Sequence, residues 1–428
     1  MRLRALVVLA MGILPGALHA EPLESSLLVL TSYPDELVAR FEAAFERANP
    51  GTDLRVLWKT GREAMPILRS ADQGGVDVYW TPALRNFPVL RDEGRLRPLD
   101  IASPELDREA LPGRIGAQTL SDLSGRFEAF EVAGYGIVVN PAYLADRGLP
   151  TPRRWADLAD PALAGHVAFP VPSRVGFAPV LVDIILQAEG WAAGWTLLQR
   201  IAASAELADR GPGVGDSVAS GRRGAGPTID FQALNAQADG KPVEIHYPER
   251  TAWLPAHIGV TAAAPHPKAA AAFVAFALSE EGQRILFHPD IRRHPVRPAV
   301  YRDAPAGTGN PFAAAGAFAY ETERGSRREP AVAALFDALI TRRQDELRGL
   351  LALLDEARRA AARTGDPALA AQAEEALALA TAVPVTEEQA AGLTVTPALD
   401  QEWAERIGKA RAAAADTARA VLAAAKEP

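Results

Sequence analysis

The sequence predicts an α/β protein of two lobes followed by an α-helical C-terminal extension. Three observations carry this expectation. From Leu27 to Arg91, short apolar runs rich in β-formers alternate with amphipathic helical segments. At 428 residues the chain exceeds what one hydrophobic core organises. From about Glu329 onward Ala, Arg, Glu and Leu dominate, with apolar residues at helical spacing.

The elements follow in order. Met1 to Ala20 has the parts of a secretory signal: Arg2 and Arg4, the apolar run Ala5–Leu14, a Pro15-Gly16 break, and a cleavage site near Ala20. That run is well short of the ~20 residues a membrane-spanning helix needs, so no direct membrane insertion is expected. Leu27–Leu30 predicts a buried strand that ends in Thr31-Ser32-Tyr33-Pro34. Pro34, Asp35 and Glu36 suit a helix start, Leu37, Phe41, Ala44 and Phe45 form its apolar face, and Asn49-Pro50-Gly51 stops it. Leu54–Trp58 and Val76–Trp80 predict two more strands. Lys59-Thr60-Gly61-Arg62 leads into the helix after the first, and Thr81-Pro82 opens a helix toward Arg91 after the second. Strand–helix alternation of this kind implies parallel pairing.

Phe130–Asn140 is apolar and β-rich, with two glycines. His166–Phe169 predicts a strand. The turn Pro172-Ser173-Arg174-Val175-Gly176 follows, then a helix through Gln187 and another from Trp191 to Ala203. Gly211 to Gly215 reads as a loop before a short helix, Gly224–Phe231 as a strand and its exit, and Thr251–Thr261 as a further strand. In the extension, Leu335, Phe336, Leu339 and Ile340, then Leu347, Leu350, Leu351 and Leu354, predict helices. Others are expected over residues 367–382 and 397–425, around a loop at Pro384.

Composition removes several function classes. A net charge of −8 argues against general nucleic-acid binding. The chain has no cysteine, no G-x-S-x-G elbow, no H-E-x-x-H pair and no Gly-Lys-Ser phosphate loop, so no enzyme and no cofactor are expected. His288 and His294 stand at i, i+6, and His246 and His257 lack a carboxylate constellation, so no metal ligands are assigned.

Ala264 to Phe287 reads APHPKAAAAFVAFALSEEGQRILF: a turn into a helix, then a Ser-Glu-Glu-Gly cap into a second helix. This resembles the helix pair near the end of bacterial extracellular solute-binding proteins of ABC type. The chain looks like the branch that includes ferric-iron-binding proteins and the phosphoglycerate-transport regulatory protein, and Thr31-Ser32-Tyr33-Pro34 and Asp77-Val78-Tyr79-Trp80 look closer to the latter. The resemblance implies a class II periplasmic binding protein, a Venus-flytrap of two lobes. Residues 21–134 and 251–328 would form lobe 1, residues 135–250 lobe 2 and residues 329–428 the extension, with 1–20 the signal peptide.

It also implies capture of a small anionic solute of organophosphate or phosphonate type by hinge closure, with delivery to an ABC transporter permease. A membrane sensor histidine kinase is the alternative partner, and metal capture the alternative cargo. A lipid-anchored member needs a Cys after its signal, so a soluble periplasmic monomer is expected. Iron binders place adjacent tyrosines where this chain reads Thr228-Ile229-Asp230-Phe231, which argues against iron held by phenolates.

The candidate ligand residues sit in loops that the resemblance places at the cleft. Ser32 offers a hydroxyl before a helix, as an anion contact or an N-cap. Arg62 follows Gly61, which permits close backbone approach. Thr81 ends a strand, beside a Trp80 that reads as core packing. Ser173 and Arg174 precede a helix whose start would hold anionic oxygens. Tyr135 and Asp230, on strands between the lobes, would read the remainder of the solute. Arg250 would reach the cleft or pair with Glu249.

Overall fold

The computed structural model describes residues 22–99, 106–305, 308–314, 316 and 318–426. The expected signal segment lies outside the described residues.

Strand β1 (Ser26–Thr31) pairs in parallel with β2 (Asp53–Trp58) and with β3 (Val78–Thr81). Helix α1 (Asp35–Ala48) connects β1 to β2, and α2 (Gly61–Arg69) follows β2. The helix expected to open at Thr81-Pro82 starts later: α3 spans Asn86–Asp92. Thr81 is instead the last residue of β3, paired with His257 on a later strand. Sheet pairing overrides the local Thr-Pro start signal here. Beyond a small hairpin of β4 (Arg114–Ile115) and β5 (Gln118–Thr119) comes the long strand β6 (Glu128–Val139).

β6 joins the two lobes. Helix α4 (Pro141–Asp146), then β7 (Ala168–Pro170), α5 (Ala178–Glu189), α6 (Trp191–Ala202), β8 (Glu206–Ala208), α7 (Gly213–Ala219), β9 (Ala225–Ile229), α8 (Asp230–Ala238) and β10 (Glu244–His246) build the second lobe. β11 (Trp253–Val260) returns the chain to the first. Residues Glu128 to Gly134 of β6 pair antiparallel with β11, whereas Tyr135 to Val139 pair with β9. The strand therefore changes partner, and lobe, between Gly134 and Tyr135.

The signature helices are α9 (Pro267–Leu278) and α10 (Glu280–Ile285). Pro267 occupies the first turn, where its missing N–H costs nothing, and Ser279 Oγ accepts from Gly282 N to cap α10. Position 282 has to be glycine because a Cβ there would overlap the Phe276 carbonyl. Phe273 of α9 packs on Trp80, which also meets Tyr33 and Phe130 with ring centroids 4.9 Å apart. Trp80 is thus core, at the centre of lobe 1.

After β12 (His294–Pro295) and the short α11 (Pro311–Ala314), the chain enters α12 (Thr322–Leu339). α12 begins seven residues before Glu329 and runs through Pro330, so the compositional change falls inside a helix. Val332, Leu335, Phe336 and Leu339 join Phe169, Leu181, Ile184 and Trp195 in one continuous core, with Phe336 stacked on Phe169 at 5.5 Å. α13 (Gln344–Thr364), α14 (Pro367–Ala380), α15 (Glu387–Ala390) and α16 (Pro397–Ala424) complete the extension. Leu354, Ala373, Ala376, Ala414 and Val421 give α13, α14 and α16 a small core of their own. Arg328 ties α12 down: its buried guanidinium donates to Asp183 of α5 and to Glu387 of α15. Among the described residues no helix is long and apolar enough to cross a membrane.

Candidate ligand-binding site

A cleft of about 1270 Å³ opens between the lobes. Glu131, Ala133 and Tyr135 of β6, Leu254 and Ala256 of β11, and Arg293 form its floor. Gly61, Arg62 and Arg85 line the lobe 1 wall; Gly176, Phe177, Gly211, Gly215, Phe231 and Gln232 line the lobe 2 wall. Most of the wall residues sit at the starts of α2, α5, α7 and α8, or in the turns before them. This is the ligand position of α/β folds, where free backbone amides and positive helix ends face the solute. α2 is partly satisfied already: Thr60 and Glu63 form a capping box.

Arg293 is held most firmly. Its Nη1 donates to Glu131 Oε1 at 2.7 Å, Tyr33 Oη donates to the same oxygen at 3.0 Å, and the guanidinium lies 4.3 Å over the Phe231 ring. Glu131 is 1% exposed. Burial pushes its carboxyl above the ordinary carboxylate range, and Arg293 pulls it back down. Glu131 Oε2 has no hydrogen-bond partner among the described residues. Burial, with the Glu131 charge adding to it, pushes the Tyr33 hydroxyl well above its usual range. Arg62 is exposed and has no ion-pair partner among the described residues. Arg85 Nη2 meets Glu329 Oε1 of α12 at 2.9 Å.

Of the residues expected from sequence, the structure brings Arg62 to the cleft wall and Tyr135 to its floor. The Tyr135 hydroxyl is pushed up by burial and by the Asp230 charge. Ser173 and Arg174 are exposed on the adjoining turn, whose amides at Arg174 and Val175 donate to Val171 O, and Gly176 and Phe177 face the cleft in their place. Ser32 and Thr81 lie outside the lining and satisfy each other, Oγ to Oγ1 at 2.6 Å. The Ser32 side chain does not cap α1, whose N-cap position is Pro34.

Asp230 also stands away from the lining. It accepts from Gly134 N at 2.6 Å and from Tyr247 Oη at 3.2 Å, with His294 Nε2 3.3 Å away. Its carboxylate takes up the backbone amide freed where β6 changes partner, so it braces the crossing. Arg250 is exposed and outside the cleft lining.

Sequence reasoning missed Glu131, Arg85, Arg293 and Glu329. The adjacent Arg292-Arg293 pair was a legible cue for one of them. A single Glu inside an apolar strand run, as at Glu131, carries no such cue. Among the described residues no group of three or more His, Asp or Glu is placed to hold a metal ion.

The sequence profile described as bacterial extracellular solute-binding protein matches residues 87–314. The phosphoglycerate transport regulatory protein PgtC of Salmonella typhimurium is 29% identical over 289 residues, covering 67% of this chain and 68% of that protein. Among solved structures, the periplasmic binding protein AfuA from Actinobacillus pleuropneumoniae, with fructose-6-phosphate bound, superposes with a TM-score of 0.54 at 18% identity, over 70% of this chain and 89% of that one. Iron-bound HitA from Pseudomonas aeruginosa gives a TM-score of 0.54 at 19% identity, over 72% and 99%. The fold is that of the two-lobed periplasmic binding proteins.

Proposed function

Because this chain belongs to the bacterial extracellular solute-binding protein family, we propose that it captures a small anionic solute of organophosphate or phosphonate type in the inter-lobe cleft, by hinge closure in the periplasm, and hands it to an ABC transporter permease. The observation that carries the reading is the set of arginines on the cleft: Arg62 at the lobe 1 wall, without an ion-pair partner among the described residues, Arg85 beside it and Arg293 on the floor. Guanidinium forks match the oxygens of phosphate and carboxylate, and four helix starts add partial positive charge. The similarity to a phosphoglycerate transport regulatory protein and to a fold relative holding a sugar phosphate supports the same class of cargo. Tyr135 would contact the uncharged part of the solute, while Ser173 and Arg174 would approach it only as the lobes close.

The test is a thermal-shift screen of the mature protein against phosphate esters, phosphonates, carboxylates, sugars and metal ions, followed by calorimetry. A ligand that binds only the folded state raises Tm by mass action. Organophosphates should raise it, and Arg62→Ala should weaken their binding by roughly tenfold or more, as expected for a lost hydrogen bond to a charged group. A rise with iron or another metal alone would replace the cargo.

The word regulatory in that relative's name favours a second destination, a sensor in place of a permease; the sensor domain of a membrane histidine kinase is the alternative that the sequence resemblance implies. Ligand-dependent binding to purified permease or to purified sensor domain separates the two.

A further inference from the structure

The profile match ends at residue 314, yet the cleft has a wall built beyond that point. Thr322, Ser326 and Glu329 of α12 all line it. They stand at i, i+4 and i+7, which puts them on one face of the helix. A neighbouring face, with Gly325, Arg328 and Val332, is buried against lobe 2. α12 is therefore anchored to lobe 2 and turns its polar stripe to the cleft. It also reaches lobe 1: Glu329 holds Arg85, Tyr320 N donates to Gln118 Oε1 at 3.1 Å, and Leu84 packs against the core that α12 shares with lobe 2.

The chemistry of this wall differs from that of the arginine side. It offers two hydroxyls and a carboxylate, and neither Thr322 Oγ1 nor Ser326 Oγ has a hydrogen-bond partner among the described residues. The floor adds Glu131 Oε2, buried and without a partner among the described residues. A buried acceptor left unmatched is costly, and a cleft holding both cations and empty acceptors suits a solute that carries negative charge and hydrogen-bond donors together.

We propose that the Thr322–Ser326–Glu329 face of α12 reads the hydroxyl-bearing end of the solute, so that the cargo is a hydroxylated organic anion and the C-terminal extension is part of the binding site. This rests on the anion-capture reading given above. Arg62 and Arg293 take the charged end, and Ser326 and Glu329 take hydroxyls.

Calorimetry on the full mature chain tests this with three probes: 3-phosphoglycerate, 3-phosphonopropionate, which lacks the hydroxyl, and inorganic phosphate. The wild type should bind 3-phosphoglycerate most tightly. Ser326→Ala and Glu329→Gln should each weaken that probe by about tenfold, the size of one lost hydrogen bond, and leave 3-phosphonopropionate within about twofold. Arg62→Ala should weaken both organic probes. Loss of binding in Arg62→Ala with unchanged affinity in the α12 variants overturns this inference and leaves anion capture standing. Failure of all three probes to bind the wild type overturns the anion reading and the inference with it. Circular dichroism and Tm of each variant, expected to match the wild type, exclude misfolding as the cause of a loss.

Discussion

Arg293 Nη1 lies 2.7 Å from Glu131 Oε1, a buried pair on the cleft floor that joins the loop after the signature helices to the strand linking the lobes. Removing one member of such a pair leaves a charge without compensation in a poorly solvated place. Arg293→Met should lower the unfolding free energy by roughly 3–5 kcal/mol in urea titrations, and Arg293→Met with Glu131→Gln should recover much of it. The pH dependence follows from Glu131, whose folded-state carboxyl is raised by burial and lowered again by Arg293. A carboxyl with a raised folded pKa is least destabilising when protonated, so its cost grows as pH rises through the folded value. Without Arg293 that value rises further, and the deficit of the single variant should be larger at pH 7 than at pH 5.

His257 supplies the opposite slope. It is fully buried between Phe87 and Phe127, at ring distances of 5.2 and 4.8 Å, and burial pushes its pKa down to about 3. A base held neutral in the fold contributes full stability above its unfolded pKa, and that stability is lost as pH falls through the window from about 6.5 toward 3. Between pH 7 and pH 5 the protein should lose roughly 2 kcal/mol through this group. Urea unfolding at the two pH values checks it, and His257→Gln should flatten the difference.

Gly325 is a matter of space. A methyl group there would overlap Tyr320 Oη and crowd Asp183 Oδ2. Gly325→Ala should destabilise by about 1–3 kcal/mol despite the better helix propensity of alanine. Adding Tyr320→Phe removes the overlapping oxygen, so the double variant should be more stable than Gly325→Ala alone in thermal unfolding.

Arg328 is the clamp of α12. Arg328→Ala strands the buried Asp183 and should cost roughly 3–5 kcal/mol. Limited proteolysis should then cut first near the start of α12, because the helix has lost its anchor on lobe 2.

Truncation after residue 320 probes the extension as a whole. It would bare Phe169, Leu181, Ile184 and Trp195, which share a core with Val332, Leu335, Phe336 and Leu339. The shortened chain should aggregate or bind a hydrophobic dye, whereas a chain with an independently stable lobe 2 would remain monomeric in gel filtration.

Much of the architecture was legible because it is written in local patterns. Apolar runs marked β1, β2, β3, β6 and β11, and Pro267, Ser279 and Gly282 marked the ends of the signature helices, since caps and close approaches demand particular residues. Thr81-Pro82 misled because the ladder to His257 outweighed the local start signal. The site was read less well. Arg62 and Tyr135 reach the cleft, but Ser32 spends its hydroxyl on Thr81, and Asp230 spends its carboxylate on Gly134 N. A hydrogen-bonding side chain has a few good partners, and its sequence neighbours do not reveal which distant group arrives first.

The amino-acid order alone therefore determined the family, the lobed α/β plan and the helical character of the extension, because periodicity, caps and motif spacing act over a few turns of chain. Tertiary structure decided that Glu131 and Arg293, 162 positions apart, meet on one floor, and that the same helix which carries Arg328 into the core of lobe 2 turns Ser326 and Glu329 toward the cleft. Those contacts depend on how packed layers close over one another, and burial then sets the charge state and the partner of each group that closure brings together.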